Sequence, residues 1–163
     1  MFEKVKELIL GNLGEQAIVT LQDHGLQPAI YLDPNYLLQA AKLLRDTEGF
    51  YFDFLANITG VDFHPAAEFD VVYHLSSIPY QTQFVLKVKL ANDRSLNNLP
   101  EIPSVTSVWR TADWHEREIF DLMGIFFTDH PDLRRILMPD DWEGYPLRKD
   151  YQDPESYHQI PIK

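Results

Sequence analysis

Six histidines, at positions 24, 64, 74, 115, 130 and 158, are the residues of this sequence that most invite a chemical reading. His115 and Glu116 begin the pattern H-E-x-x-H, in which two histidines four apart on a helix hold zinc and the glutamate serves as base. Position 119 is Ile119, so the second ligand is missing. A looser set of His115, Glu118, Asp129 and His130 could still be gathered by folding, which would make the chain a metal-dependent hydrolase using His115, Glu118 and His130. The plainer alternative is that these are surface or hydrogen-bonded side chains. Other chemistry finds less support. Cysteine is absent, which removes disulfides, a thiolate nucleophile, cysteine-based zinc sites and an ordinary iron–sulfur cluster. No G-x-G-x-x-G or phosphate-loop pattern is present. No G-x-S-x-G elbow is present either.

The densest stretch is DWHEREIFDLMGIFFTDHPDLRRILMPDDWEGYPLRKDY, residues 113–151. On a helix, Arg117 and Asp121 are four apart and share a face, with Glu118 beside it. Ile119, Phe120, Leu122 and Met123 supply apolar surface, and Gly124 is placed to end the helix. His130-Pro131, the pair Arg134-Arg135 and the pair Arg148-Lys149 follow. One reading is a solvated helix whose exposed ion pairs contribute about 0.3–0.5 kcal/mol each, with a tail wrapped on its own core. The other is a docking face. Trp109, Trp114, Trp142, Tyr145 and Tyr151 are interleaved with Arg117, Arg134, Arg135 and Arg148, the residue types that anchor protein–protein contacts. Arg117 and Arg134 or Arg135 are then expected in partly buried ion pairs, with Glu118 and Asp121 or with carboxylates of a partner.

Several elements must position these residues. Phe2, Val5, Leu8, Ile9 and Leu13 mark one face of a helix over 2–13, ended by Gly14. Residues 16–22 and 28–32 read as short strands around a His24-Gly25 turn. Asp33-Pro34 starts a second helix that runs to Asp46 and buries Tyr36, Leu37, Leu38, Ala41 and Leu44, with Gly49 closing it. Three strands follow. The first spans 51–59, with Phe52, Phe54, Ala56 and Ile58 on one face. The second spans 69–76, with Phe69, Val71, Tyr73 and Leu75 inward. The third spans 83–90 and alternates Phe84, Leu86, Val88 and Leu90 against Lys87 and Lys89.

The expected class is therefore α+β, an α-β-β-α-β-β-β core with a mainly antiparallel sheet covered on one side. Residues 91–103 read as a linker, dividing a core domain (1–103) from a docking segment (104–163) packed on it and on partners. Residues 104–124 read as helical with a break near Arg110–Asp113. Pro131, Pro139, Pro146, Pro154 and Pro161 exclude a long helix beyond.

Composition narrows the class of partner. The formal charge of −11 argues against a nucleic-acid backbone and an anionic lipid surface. No run reaches the roughly 18 apolar residues of a membrane span. The N-terminal residues carry Glu3, Lys4, Lys6 and Glu7 and do not read as a secretory signal. A soluble protein, or one held peripherally at a membrane by partners, is expected.

The 113–151 stretch resembles the C-type, or 30 kDa, family of respiratory complex I subunits. The residues that carry the likeness are Glu116-Arg117-Glu118, Asp121, Leu122-Met123, His130, Arg134 and Ile136-Leu137. Trp142-Glu143-Gly144-Tyr145-Pro146-Leu147-Arg148-Lys149-Asp150-Tyr151 follows downstream. The resemblance implies a cofactor-free structural subunit of the peripheral arm of NADH:quinone oxidoreductase, on the cytoplasmic side of the inner (plasma) membrane. It implies docking to the large hydrogenase-like (D-type) subunit and to neighbouring iron–sulfur subunits. Glu116, Arg117, Glu118, Asp121, His130, Arg134, Arg135, Trp142, Arg148, Lys149 and Tyr151 would form that interface. Similar chains serve in membrane-bound hydrogenase complexes, which is the nearest alternative.

Overall fold

The computed structural model describes residues 1–162. Its first helix, α1 (Phe2–Leu13), buries Val5 and Ile9, and Gly14 ends it with φ 85°. A 3-10 turn (Glu15–Ala17) leads into β1 (Ile18–Gln22), which pairs antiparallel with β2 (Ala29–Leu32). The Asp33 carboxylate accepts the Asn35 N–H at 2.8 Å, with Pro34 in the first turn. Such a cap satisfies a donor that the helix start leaves free. A 3-10 turn over Pro34–Tyr36 then runs into α2 (Leu37–Asp46), which buries Leu37, Ala40, Ala41 and Leu44. Tyr36 and Leu38 are only half-buried. Thr47 caps α2, and Gly49 follows in the next turn.

Strands β3 (Phe54–Asp62), β4 (Glu68–Ser77) and β5 (Thr82–Ala91) complete a five-stranded sheet in the order β1-β2-β5-β4-β3. All its pairings are antiparallel except β2 with β5. The α+β class with a mainly antiparallel sheet is thus as expected. On β4, Phe69, Val71, Tyr73 and Leu75 point into the core, and on β5 so do Phe84, Leu86, Val88 and Leu90. The other face carries only a small apolar group of Ala29, Val72 and Val85 with Val61 beside it.

The first of the three strands departs from its expected pattern. It begins at Phe54, and a bulge between Leu55 and Asn57 shifts its register. An extra residue reverses the alternation, so Leu55 is buried while Phe54 and Ala56 face outward. Phe52 is buried, but from the turn ahead of the strand, where Tyr51 has φ 34°.

The expected linker contains a strand, β6 (Glu101–Pro103). The helix expected from 104 starts only at Ala112: residues 104–111 form turns, and α3 is Ala112–Met123. In that turn segment Trp109 donates its indole N–H to the Phe52 carbonyl at 2.8 Å, and Val108 offers its carbonyl to Arg45 at 3.0 Å. A burial requirement at Val105, Val108 and Trp109 therefore explains the apolar spacing that imitates a helix. After α3, β7 (Phe126–Thr128) pairs parallel with β6. The helices and this small ladder cover one face of the sheet in a continuous core. Residues 129–155 are extended and turn-rich, and β8 (Ser156–Tyr157) with β9 (Ile160–Pro161) forms a short hairpin. No described helix is long and apolar enough to cross a membrane.

Candidate functional site

Asp113, Arg117 and Asp121 stand four residues apart on α3, so they rise in a row along one face, about 6 Å per step. Residues 130–138 lie along that row as a strap, running in the same sense as the helix. At its start, His130 places Nε2 3.2 Å from the Asp113 carbonyl, and its Nδ1 accepts the Asp132 N–H at 3.0 Å. In the middle, Arg117 donates to the carbonyls of Arg134 and Arg135, both at 3.3 Å. At the end, one oxygen of Asp121 accepts the backbone N–H groups of Ile136, Leu137 and Met138 at 3.0, 2.7 and 2.9 Å. Its other oxygen accepts from Arg135 at 2.7 Å.

Arg135 also donates to the carbonyls of Trp142 and Gly144. Burial would raise the Asp121 carboxyl. The three N–H donors and the Arg135 guanidinium outweigh burial and hold it below its ordinary value. The expected pairing of Arg117 with Glu118 or Asp121 does not occur. Arg117 lies over the Trp114 ring and takes carbonyl partners, and it is Arg135 that pairs with Asp121.

A second knot fixes the chain beyond the strap. Gly124 caps α3 in the left-handed conformation, φ 67°. Arg148 donates to the carbonyls of Met123 and Gly124, at 2.7 and 3.2 Å, so its charge stands at the negative end of the helix. Its guanidinium is buried between the rings of Phe69 and Tyr145. Burial pulls its pKa below the usual arginine value. Arg135 lies over the same Tyr145 ring, so this tyrosine serves two cations. Next to it, Lys149 gives its backbone N–H to Asp62 at 2.9 Å, while Arg94 grips Asp62 with two nitrogens at 2.7 and 2.8 Å. Burial opposes the Asp62 charge, but Arg94 and the Lys149 and His64 amides prevail and bring its carboxyl to about 2. Farther along, Trp142 donates its indole N–H to the Tyr151 hydroxyl at 3.0 Å.

Beneath the start of the strap, Glu116 is fully buried. One of its oxygens lies 2.6 Å from the Ser104 hydroxyl, and the other accepts the Val105 N–H at 2.8 Å. Burial pushes its carboxyl up to about 7, the two hydrogen bonds act against that, and the Asp113 charge adds to it.

The residues singled out from sequence thus separate into two groups. Glu116, Arg117, Asp121 and Arg148 are buried inside the chain, and the side chain of His130 is covered as well. Glu118, Arg134 and Lys149 are exposed; Arg135, Trp142 and Tyr151 are partly covered. Asp62, Arg94 and Ser104 belong to the same network without having been singled out. No local spacing links Asp62 to residues 32 and 87 positions away. Among the described residues, no three of His, Cys, Asp and Glu are grouped to hold a metal, so His115, Glu118 and His130 do not meet as a ligand set. Large apolar groups stand exposed around the strap, with Trp114 at 62%, Leu137 at 61% and Leu147 at 59%.

The fold recurs in a membrane-bound sulfane sulfur reductase, an archaeal respiratory membrane complex. A chain of that structure matches with a TM-score of 0.71 at 21% identity, covering 92% of this chain and 84% of that one. The likeness defines the class as proteins with this α+β fold, and sequence relatives narrow it. The chain belongs to the family of the respiratory-chain NADH dehydrogenase 30 kDa subunit, whose model matches residues 30–157.

Similar chains include the NADH-quinone oxidoreductase C-type subunit of Chloroherpeton thalassium, 41% identical across 90% of this chain. Those of a Roseiflexus species and of Chlorobium phaeobacteroides are 46% and 42% identical across 75% and 80% of it. The matches span 59%, 68% and 76% of those three relatives' own lengths.

Proposed function

We propose that this chain is a structural and assembly subunit of the peripheral arm of a proton-pumping NADH:quinone oxidoreductase. In this reading it carries no cofactor of its own. It docks the large hydrogenase-like (D-type) subunit and neighbouring iron–sulfur subunits, peripherally on the cytoplasmic side of the inner (plasma) membrane. One observation carries the reading. Arg117, Asp121 and Arg135 are spent on holding the strap to α3, and the surface they stabilise offers Trp114, Leu137 and Leu147 with the remaining signature charges Glu118, Arg134 and Lys149 around them. Apolar anchors within a charged surround, on a rigid base, are what a stable protein–protein contact requires. Trp142, Arg135 and Tyr151 sit at the margin of this surface. The NADH-quinone oxidoreductase relatives favour the NADH:quinone complex over a membrane-bound hydrogenase.

The test is affinity purification of the tagged chain from its own membranes, with NADH:quinone activity and iron measured in the eluate. An iron-rich, NADH-oxidising assembly is expected. The Leu137→Asp variant, which leaves the backbone contacts of the strap in place, is expected to lose at least about tenfold of that assembly, as a lost anchor of ~1.4 kcal/mol or more implies. Recovery of a lone wild-type chain, or of undiminished assembly with Leu137→Asp, would overturn the assignment.

A further inference from the structure

We propose that Glu116, together with Ser104, Thr106 and His130, forms a buried proton-binding site that couples proton concentration to the seating of residues 130–138 on α3. Four elements surround the carboxyl group. From the β6–α3 connection come the Ser104 hydroxyl at 2.6 Å and the Val105 N–H at 2.8 Å. From the strap comes His130, its Nε2 3.9 Å away. From β4 comes the buried Tyr73 phenol, whose own ionisation is opposed by burial and by the Glu116 charge. From α3 itself comes Asp113, a like charge. No lysine or arginine bonds to Glu116 among the described residues. A carboxylate here would be a buried charge without a cation, which is costly. A carboxylic acid would not.

The Ser104–Thr106 pair makes both states possible with the same heavy-atom positions. Their hydroxyl oxygens are 2.8 Å apart. With Glu116 protonated, its O–H donates to Ser104 Oγ, and Ser104 donates on to Thr106. With Glu116 ionised, the chain of donors reverses: Thr106 donates to Ser104, and Ser104 donates to the carboxylate. One proton leaves to solvent, and no other bond is made or broken covalently.

The strap senses the change through His130. In the protonated state its Nδ1 accepts from Asp132, and its Nε2–H is aimed at the Asp113 carbonyl. An ionised Glu116 draws the His130 Nε2–H from the Asp113 carbonyl toward its own oxygen, 3.9 Å away. That removes one of the two hydrogen bonds that seat His130, so the start of the strap loosens as pH rises. The inference concerns the isolated chain and does not depend on any docking.

Two measurements on the full chain between about pH 5 and about pH 8 test it: 13C NMR of the Glu116 carboxyl, and amide exchange along the chain. The carboxyl is expected to titrate near neutrality. Exchange at 130–138, corrected for its intrinsic pH dependence, is expected to rise by about tenfold relative to the sheet, the size expected for a local opening. Glu116→Gln, which keeps both hydrogen bonds but cannot ionise, is expected to abolish that rise. An ordinary glutamate titration, or Glu116→Gln retaining the wild-type rise, would overturn the proposal. If the variant does not fold, the wild-type chain decides: the exchange at 130–138 is expected to rise at the same pH as the carboxyl titrates, and a rise at a different pH, or none, would overturn the proposal.

Discussion

Asp121 shows how one carboxylate can organise a segment of chain. Three consecutive N–H groups converge on one of its oxygens, and a guanidinium holds the other. Removing it leaves these part-buried donors unpaired and Arg135 without its anionic partner. Asp121→Ala is therefore expected to destabilise the chain by about 3–5 kcal/mol, the range for breaking a buried charge pair. Urea unfolding measures this, and a loss below about 1 kcal/mol, the range of exposed pairs, would refute it. Such a role is hard to read from sequence. The spacing of Arg117 and Asp121 correctly puts them on one face, yet it suggests that they bond to each other. Apart from the Arg135 side chain on Asp121, their actual partners are backbone groups 15–18 residues downstream, and backbone groups carry no sequence signal of their own.

At the scale of elements, α3 depends on its terminus. Gly124 adopts φ 67°, and a Cβ there would run into the Tyr145 ring and into Arg148. Gly124→Ala should cost about 1–2 kcal/mol for the left-handed backbone alone. It should cost more because Arg148 and Tyr145 must move. Thermal unfolding of this variant, compared with a Gly11→Ala control in open space on α1, separates the clash from general effects. The glycine stop was legible in the sequence, since Gly after an amphipathic run is an ordinary helix end. So were β4 and β5, where inward apolar residues recur at every second position and the outward ones are mostly polar, Val72 and Val85 excepted. The face of β3 was not, because one bulged residue inverts a period-two pattern while leaving composition unchanged. Nor was β6, which is three residues long and exists only because β7 pairs with it.

For the molecule as a whole, two buried carboxylates pull stability in opposite directions with pH. Asp62 is held at about 2 against an ordinary 3.8, so its contribution, about 2 kcal/mol at 1.36 kcal/mol per unit, is complete above 3.8 and disappears as pH falls toward 2. Glu116 is raised to about 7 from 4.5. The folded chain keeps its proton where the unfolded chain has released it, so stability declines from pH 4.5 to 7, by about 3 kcal/mol on the same scale. The formal charge of −11 at pH 7 adds self-repulsion in the same direction. Denaturant unfolding is expected to show the isolated chain more stable near about pH 5 than near about pH 7.5. A flat or rising profile over that interval would contradict this account of Glu116.

Over residues 134–138 the strap is gripped chiefly by its main chain, with the Arg135 side chain adding one ion pair. Asp121 takes its amides, Arg117 takes its carbonyls, and the side chains of Arg134 and Leu137 point away. The attachment therefore does not read the letters displayed on its outer side. Residues 134 and 137 can be rewritten while the grip stays the same, so the outward face of the strap can vary without the chain having to learn again how to fold.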